Sequence, residues 1–124
     1  MDYEKIIHIY KERIRQLTNK KQYMQTLDLI KQWVKDRNMN TGNPKQQMCK
    51  TVEELGELAN AINKNKIEEA KDGLGDVIVT LVCIAEQLGL DINDCIDYAY
   101  NEIKDRKGKL IDGIFVKEND LENE

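Results

Sequence analysis

Apolar residues recur at helical spacing along most of the chain. Over residues 3–19 they lie three or four positions apart after an Ile pair, which predicts one helical face: Tyr3, Ile6, Ile7, Tyr10, Ile14 and Leu17. A second stripe follows at Tyr23, Met24, Leu27, Ile30, Trp33 and Val34. The polar stretch TNKKQ between them is either a short break or the exposed middle of one long helix.

The clearest interruption of this pattern is RNMNTGNPKQQ, residues 37–47. Asn43 can cap a helix, Pro44 suits the first helical position, and Gln46 stands where a capping box places Glu or Gln. The helix that begins there is predicted to run to about Lys64. Its apolar residues recur at spacings of four and three and are expected to face the core: Met48, Val52, Leu55, Ala59 and Ile62.

The next helix is predicted from about Lys66 to Leu88, with Gly89 as its stop. Its β-branched middle makes a buried strand the alternative, but its length favours a buried central helix. A fourth helix begins near Asp91 and is expected to bury Ile92, Ile96, Ala99 and Ile103 before Gly108. In the segment KLIDGIFVKE, Asp112-Gly113 between apolar runs predicts a small hairpin or ordered loop.

These elements predict an all-α fold, a bundle of four to five helices around a buried central helix. Residues 1–22 form an amphipathic helical extension that docks on a partner subunit or folds back on its own bundle. Residues 23–117 form the helical domain, and residues 118–124 form an acidic, flexible tail. Because residues 74–85 are apolar enough to need cover on all sides, we expect a homodimer or homotetramer.

Composition narrows the functional class. A length of 124 residues fits one domain, and 40% hydrophobic with 34% charged residues is typical of a globular protein. The net charge of −4 argues against a nucleic-acid partner, and the longest apolar run, VIVTLVCIA, is too short to span a membrane. Cys49, Cys83 and Cys95 contain no CxxC pair and are expected to be reduced, mostly buried thiols of a cytoplasmic protein.

A single histidine, His8, excludes histidine-rich zinc sites and Ser-His-Asp catalysis, so hydrolytic chemistry would rest on carboxylates, amides and cationic side chains. Glu54 and Glu57 lie three apart and share a helical stripe with Gln47, Lys50 and Ala61. On the next helix Asp72 and Asp76 lie four apart, and Glu69 extends that row. Two acid pairs beside buried aliphatic residues suit a divalent cation, with Mg²⁺ as the first choice and Mn²⁺ as an alternative. The alternative reading is a pair of solvated helix edges.

The segments EELGEL and GLGDVIVTLV, within residues 27–117, resemble the MazG-like family of all-α nucleoside triphosphate pyrophosphohydrolases, in its phage-type branch. The resemblance implies that Glu54, Glu57 and Asp76 hold the metal and support catalysis. The family usually has Glu where this chain has Gly73, and Asp72 is the best substitute. One carboxylate, Glu57 or Glu53, would accept the proton from water.

The segment NEIKDRKGKLIDGIFVKE is similar to the family's substrate-contacting region. The resemblance implies that phosphates are bound by Asn101, Lys104, Arg106 and Lys107, together with Lys50. Trp33 and Asn38 could lie near a base pocket, although core packing is the simpler reading for Trp33. The predicted activity splits a nucleoside triphosphate into monophosphate and diphosphate, for house-cleaning or control of the nucleotide pool. The alternative is a non-catalytic interaction module or nucleotide sensor.

VEELGE is also similar to the Nudix box, another magnesium-dependent pyrophosphate motif. That box requires an Arg-Glu pair upstream, where this chain has Cys49 and Lys50, and an aliphatic residue where it has Glu57. Its fold is a strand-rich sandwich, which the helical stripes do not support.

Overall fold

The computed structural model describes residues 2–121, apart from the side chains of residues 20–25. The elements in chain order are α1 (Tyr3–Asp36), a 3₁₀ turn (Met39–Thr41), α2 (Pro44–Asn63), α3 (Ile67–Gln87), α4 (Ile92–Ile103), β1 (Gly108–Ile111), β2 (Ile114–Lys117) and α5 (Glu118–Leu121). The predicted all-α fold is therefore confirmed. The chain divides into two compact units, Met1–Leu90 and Asp91–Glu124.

The two predicted N-terminal stripes belong to one helix, so the polar stretch between them is not a break. Asp2 caps α1, its carboxylate accepting the Lys5 backbone N–H at 3.2 Å. In the first half of α1 the large apolar side chains are exposed, including Tyr3, Ile7, Tyr10, Ile14 and Leu17 at 52–69%. The second half of α1 is less exposed. Val34 is fully buried there, and Leu27 and Ile30 are half-buried. Tyr23 and Met24 of the second stripe lie outside the described side chains.

α2 begins as predicted, but it buries a different face. Asn43 accepts the Lys45 backbone N–H at 2.9 Å, and Pro44 is the first helical residue. The predicted core residues Met48, Val52, Leu55, Ala59 and Ile62 are exposed. The buried positions are instead Thr51, Leu58 and Ala61, about a quarter turn away. Two of these side chains, Thr51 and Ala61, are small, and the third, Leu58, lies against Gly73 of α3.

The closest part of this α2–α3 contact is at Gly73. It is buried, and a Cβ atom added there would lie 3.2 Å from Leu58 Cδ1 and 3.5 Å from Leu58 Cα. A cluster of Leu58, Ala61 and Ala70, with Val77 packed against it, fills the space beside this contact. Gly73 is therefore a packing position between the two helices.

α3 is the central helix, and it is covered on one side only. Its buried residues include Val82, Cys83 and Ala85, whereas Leu74, Ile78 and Leu81 are 41–56% exposed. At its C-terminal end Gln87 donates its side-chain amide to the Met39 carbonyl at 2.9 Å, which ties α3 to the 3₁₀ turn. Gly89 follows with a φ of +71°, as expected of the residue that stops the helix.

In the second unit the C-terminal hairpin is confirmed. β1 pairs antiparallel with β2, and Asp112 and Gly113 form the turn with φ of +52° and +79°. Asp91 caps α4 by accepting the Asn93 N–H at 2.8 Å. The predicted burial of Ile96, Ala99 and Ile103 is wrong within this chain, since all three are exposed and Ile92 is half-buried. One helix and a two-stranded hairpin offer too little surface to cover an apolar face.

Three further expectations concern single residues and the chain ends. Cys83 is buried, but Cys49 and Cys95 are exposed, so the prediction of mostly buried thiols is wrong. His8 is on the surface. Of the predicted tail, Glu118–Leu121 form α5, and residues 122–124 lie outside the described part of the chain.

No single helix among the described residues has both the length and the apolar content needed to cross a membrane. α3 and α4 pass that test of length and composition only when they are counted together across the break between them.

Candidate active site

The acids of α2 lie closer to the helix contact than their sequence pattern suggests. Because α2 buries Thr51, Leu58 and Ala61, Glu54 falls near the middle of its packed face, and its side chain is only 13% exposed. Lys50 Nζ lies 3.4 Å from Glu54 Oε1 and 3.5 Å from Glu53 Oε2. These two contacts, that with Glu54 above all, raise the pKa of Lys50, so Lys50 is the counter-ion of Glu54 in this structure.

α3 brings two more carboxylates to the same place. Asp72 and Asp76 are both exposed and one turn apart, directly before the apolar part of the helix. The pKa of Asp76 is raised, first by loss of hydration against its neighbours and then by the negative charges of Asp72 and Glu54. Lys50 acts in the opposite direction and lowers it. Charged side chains of both α2 and α3 therefore act on the carboxylate of Asp76.

A cavity of about 290 Å³, which we call the acid cavity, lies between α2 and α3. Its lining includes Glu57, Asn60, Glu69, Asp72 and Asp76, with Gly73 and Ala61 at its base. The predicted residues Glu57, Asp72 and Asp76 are thus brought together. Asn60 was not predicted, although its position three residues after Glu57 on one helical face was a usable signal.

The acid cavity suits a hard divalent cation by the chemistry of its donors. Glu57, Glu69, Asp72 and Asp76 of its lining offer carboxylate oxygen, the ligand that Mg²⁺ and Mn²⁺ prefer. The predicted ligand Glu54 does not line this cavity, although its charge acts on Asp76. A cation would also relieve the repulsion that raises the pKa of Asp76. Among the described side chains, no three acids, thiols or imidazoles stand close enough together, as they are placed here, to hold a metal ion.

The predicted phosphate-binding residues other than Lys50 all belong to the second unit. Asn101 lies on α4 and Lys104 at its C-cap, and both are exposed. Arg106 and Lys107 line a cavity of about 510 Å³ within this unit, together with Lys117 and three acids, Glu102, Asp105 and Glu118. Arg106 and Lys107 therefore line the same cavity as a third cationic residue, Lys117, which was not predicted as a site residue.

A larger cavity, of about 760 Å³, lies between α1 and α3, and we call it the α1–α3 cavity. Thr26, Leu27 and Ile30 of α1 form one wall. The α3 wall consists of Glu68, Lys71, Asp72, Gly75, Asp76, Ile78 and Val79. Asp72 and Asp76 therefore border this cavity as well as the acid cavity. Of the residues that line it, only these two aspartates were predicted as site residues.

Trp33, for which core packing was predicted, lies instead on the surface. It is 41% exposed, and the guanidinium of Arg37 stacks over its ring at 4.2 Å from the centroid. Arg37 also donates to the Trp33 carbonyl at 3.1 Å. The guanidinium of Arg37 covers one face of the Trp33 ring. The position of Trp33 therefore supports neither core packing nor a role in a base pocket.

Comparisons with known proteins agree with this arrangement. The family described as "MazG nucleotide pyrophosphohydrolase domain" matches residues 43–111, which contain both acid pairs and the first strand of the hairpin. An uncharacterized 18.2 kDa protein from the rep-hol intergenic region of Haemophilus phage HP1 is 40% identical over 68 residues, 54% of this chain. The match spans about two-fifths, 42%, of that phage protein's length. No solved structure matches. Since the family match covers more than half of the sequence, the chain belongs to the MazG nucleotide pyrophosphohydrolase family.

Proposed function

We propose that this protein is a Mg²⁺-dependent pyrophosphohydrolase that converts a nucleoside triphosphate or deoxynucleoside triphosphate and water to the monophosphate and diphosphate. The observation that carries the proposal is the acid cavity, where carboxylates of α2 and α3 meet in a member of this family. In this reaction a water oxygen forms a bond to the α-phosphorus while the bond between that phosphorus and the α,β-bridging oxygen breaks. The diphosphate leaves with the electron pair, and the water proton passes to a carboxylate.

Each residue has a proposed role. Glu54, Glu57, Asp72 and Asp76 would hold the Mg²⁺ ion. When bound, that ion supplies positive charge against the triphosphate and makes water more acidic. Glu57 or Glu53 would accept the proton. Lys50, which neutralises Glu54 here, would be released toward the phosphates once a cation occupies its partner. Asn101, Lys104, Arg106 and Lys107 would supply further donors to the phosphates.

The direct test incubates the purified full-length chain with each of the four dNTPs and four NTPs and Mg²⁺, and measures diphosphate. We expect release of diphosphate, rather than orthophosphate, from at least one nucleotide, and its loss on chelation by EDTA. In the absence of nucleotide, Mg²⁺ at ten times its Kd should stabilise the fold by about 1.4 kcal/mol, which thermal unfolding detects. A chain with merely solvated helix edges, as in an interaction module, would show neither effect.

The single-chain structure also supports a proposed assembly. Met48, Val52, Leu55 and Ile62 of α2 are 44–57% exposed, and Leu74, Ile78 and Leu81 of α3 are similarly uncovered. Large apolar side chains exposed along a helix are typical of a face that another subunit covers. We therefore propose a cytoplasmic homodimer or homotetramer that buries it.

If this assembly forms, charged residues introduced on the exposed apolar face of α2 should disrupt it. Replacing Val52 and Leu55 together by Lys should lower the mass measured by light scattering to that of one chain, because buried ammonium groups would lack partners. Lys45→Glu, an exposed change in the first turn of the same helix, is the matched control and should leave the mass unchanged. A wild-type protein that already has the mass of one chain would contradict the proposal.

A further inference from the structure

The N-terminal half of α1 has an apolar face that the rest of the described chain leaves exposed. Five residues form this face, which we call the α1 apolar face, and each is more than half exposed: Tyr3, Ile7, Tyr10, Ile14 and Leu17. They lie alternately four and three positions apart on one continuous helix, so they form a stripe of about 21 Å along its axis. An exposed apolar stripe of this extent indicates a surface that binds another molecule.

The α1 apolar face points away from α3. At about 100° per residue, its mean direction differs by roughly 150° from that of Leu27, Ile30 and Val34, which are buried or half-buried in the second half of α1. Leu27 and Ile30 line the α1–α3 cavity, so that side of the helix is the one turned toward α3. A flat external surface can therefore meet the first half of α1 without contact with α3.

Cations flank the α1 apolar face on both sides. Lys11 and Arg13 are exposed and lie about 80° to either side of its centre. Glu12 is on the far side of the helix, where it pairs with Arg15 at 2.9 Å. Residues 1–22 contain six basic and three acidic residues, a net charge of +3, whereas the chain as a whole carries −4. This segment therefore attracts an anionic surface, although the rest of the chain is acidic.

Charge also argues against a second copy of the same helix as the cover. If two α1 apolar faces packed together, each flank of the contact would contain Lys11 or Arg13 from both helices, and these cations would repel one another. An anionic bilayer avoids this repulsion. Its acyl chains accept the isoleucines and Leu17, and its phosphates attract the flanking cations. Tyrosine rings, such as those of Tyr3 and Tyr10, are favoured at the boundary between these two layers.

We infer that the N-terminal half of α1 binds the surface of an anionic membrane. The helix lies in the plane of that surface, with Ile7 and Ile14 in the apolar layer and with Lys11 and Arg13 among the lipid phosphates. The inference is independent of the proposed function, because none of these residues lines the acid cavity.

The test measures binding of the full-length protein to lipid vesicles by co-sedimentation. One set of vesicles is phosphatidylcholine alone, and the other contains about 30% phosphatidylglycerol as the anionic lipid. Ile7→Asn tests the apolar face. Ile9→Asn is its matched control, since Ile9 is also exposed but lies about 120° from the centre of the face. A double variant, Lys11→Gln with Arg13→Gln, tests the cations. Because all four side chains are exposed, the thermal unfolding of these variants should match that of the wild type.

We expect the wild-type chain to bind the anionic vesicles at least tenfold more tightly than the neutral ones, and to bind them less tightly as salt is raised. Ile7→Asn and the double variant should each weaken binding to anionic vesicles at least tenfold, whereas Ile9→Asn should stay within twofold of the wild type. Diphosphate release from dNTPs in the absence of vesicles should not differ between these variants and the wild type, so the membrane site and the proposed activity are tested separately.

Three results would overturn the inference. The first is a wild-type chain that does not bind anionic vesicles or binds neutral ones equally well. The second is an equal loss of binding in Ile7→Asn and Ile9→Asn, since the loss would then not depend on the α1 apolar face. The third is a lower mass by light scattering in Ile7→Asn than in Ile9→Asn, without vesicle binding by the wild type, because a second copy of the chain would then cover the face.

Discussion

Replacing Glu57 by Gln should lower diphosphate release by about 10²–10³-fold while leaving the metal-free fold intact. Glu57 is exposed and lines the acid cavity with Asp72 and Asp76. The amide has the size of the carboxylate but lacks its charge, so the change removes attraction for a cation without opening a cavity. Loss of a single electrostatic stabiliser of a transition state typically costs a factor of this size.

Two readouts separate the roles that Glu57 could have. If Glu57 is a metal ligand, the variant loses both activity and the stabilisation by Mg²⁺ in thermal unfolding. If Glu57 accepts the proton, activity falls but the stabilisation by Mg²⁺ persists. Glu12→Gln is the matched control, since Glu12 is an exposed helical glutamate on α1 that pairs with Arg15 at 2.9 Å. It should behave as wild type, and an active Glu57→Gln variant would exclude both roles.

Local signals were enough to predict where the elements begin and end. Asn43-Pro44 starts α2, Gly89 ends α3, and Asp112-Gly113 turns the hairpin, because each depends on backbone preferences of a few neighbouring residues. The acid pairs also follow from local spacing, since residues three or four apart on a helix share a face whatever packs around it, and their role as metal ligands stays a prediction. Those positions required no knowledge of the tertiary fold.

The buried face of α2 could not be predicted in the same way. The periodicity of Met48, Leu55 and Ile62 identifies an apolar face, but it does not tell which surface covers it. Within the chain, α2 instead buries Thr51, Leu58 and Ala61, and Leu58 can lie close to α3 because Gly73 has no side chain. Thr51 and Ala61 are less hydrophobic than Met48, Leu55 and Ile62, so the hydrophobic pattern does not identify them as buried. Shape complementarity between two helices, which involves residues distant in sequence, decided the outcome.

This packing gives a physical reason why the chain has Gly73 where the resemblance leads one to expect Glu. The family usually has Glu at this position, whereas Gly73 is buried against Leu58, itself only 8% exposed. A side chain at residue 73 would begin inside the α2–α3 contact. This supports Asp72, one residue earlier and exposed at the acid cavity, as the carboxylate that serves in its place.

Gly73→Ala should therefore lower the free energy of unfolding by about 1–3 kcal/mol, the usual cost of overpacking a core. The new methyl group would lie 3.2–3.5 Å from three atoms of Leu58, so Leu58 would have to shift to make room for it. Gly56→Ala, at a helical position with open space, should instead stabilise by about 0.5–1 kcal/mol through helix propensity. Urea unfolding of the metal-free chains measures both, and the opposite signs distinguish packing from propensity.

Gly73→Glu, which restores the family residue, should be more damaging than Gly73→Ala and should not raise activity. Its side chain would place a carboxylate beside Leu58 and Ala61 in the helix contact, where an unpaired charge is costly. The stability and activity of Gly73→Glu are compared with those of Asp72→Asn, which should retain the fold and lose activity. If Gly73→Glu folds as well as wild type and rescues the activity that Asp72→Asn loses, residue 73 can still supply the ligand, and the packing explanation of the departure is wrong. If it unfolds at lower urea while Asp72→Asn keeps its stability and loses activity, the α2–α3 contact disfavours a carboxylate at residue 73 and activity depends on the one at Asp72.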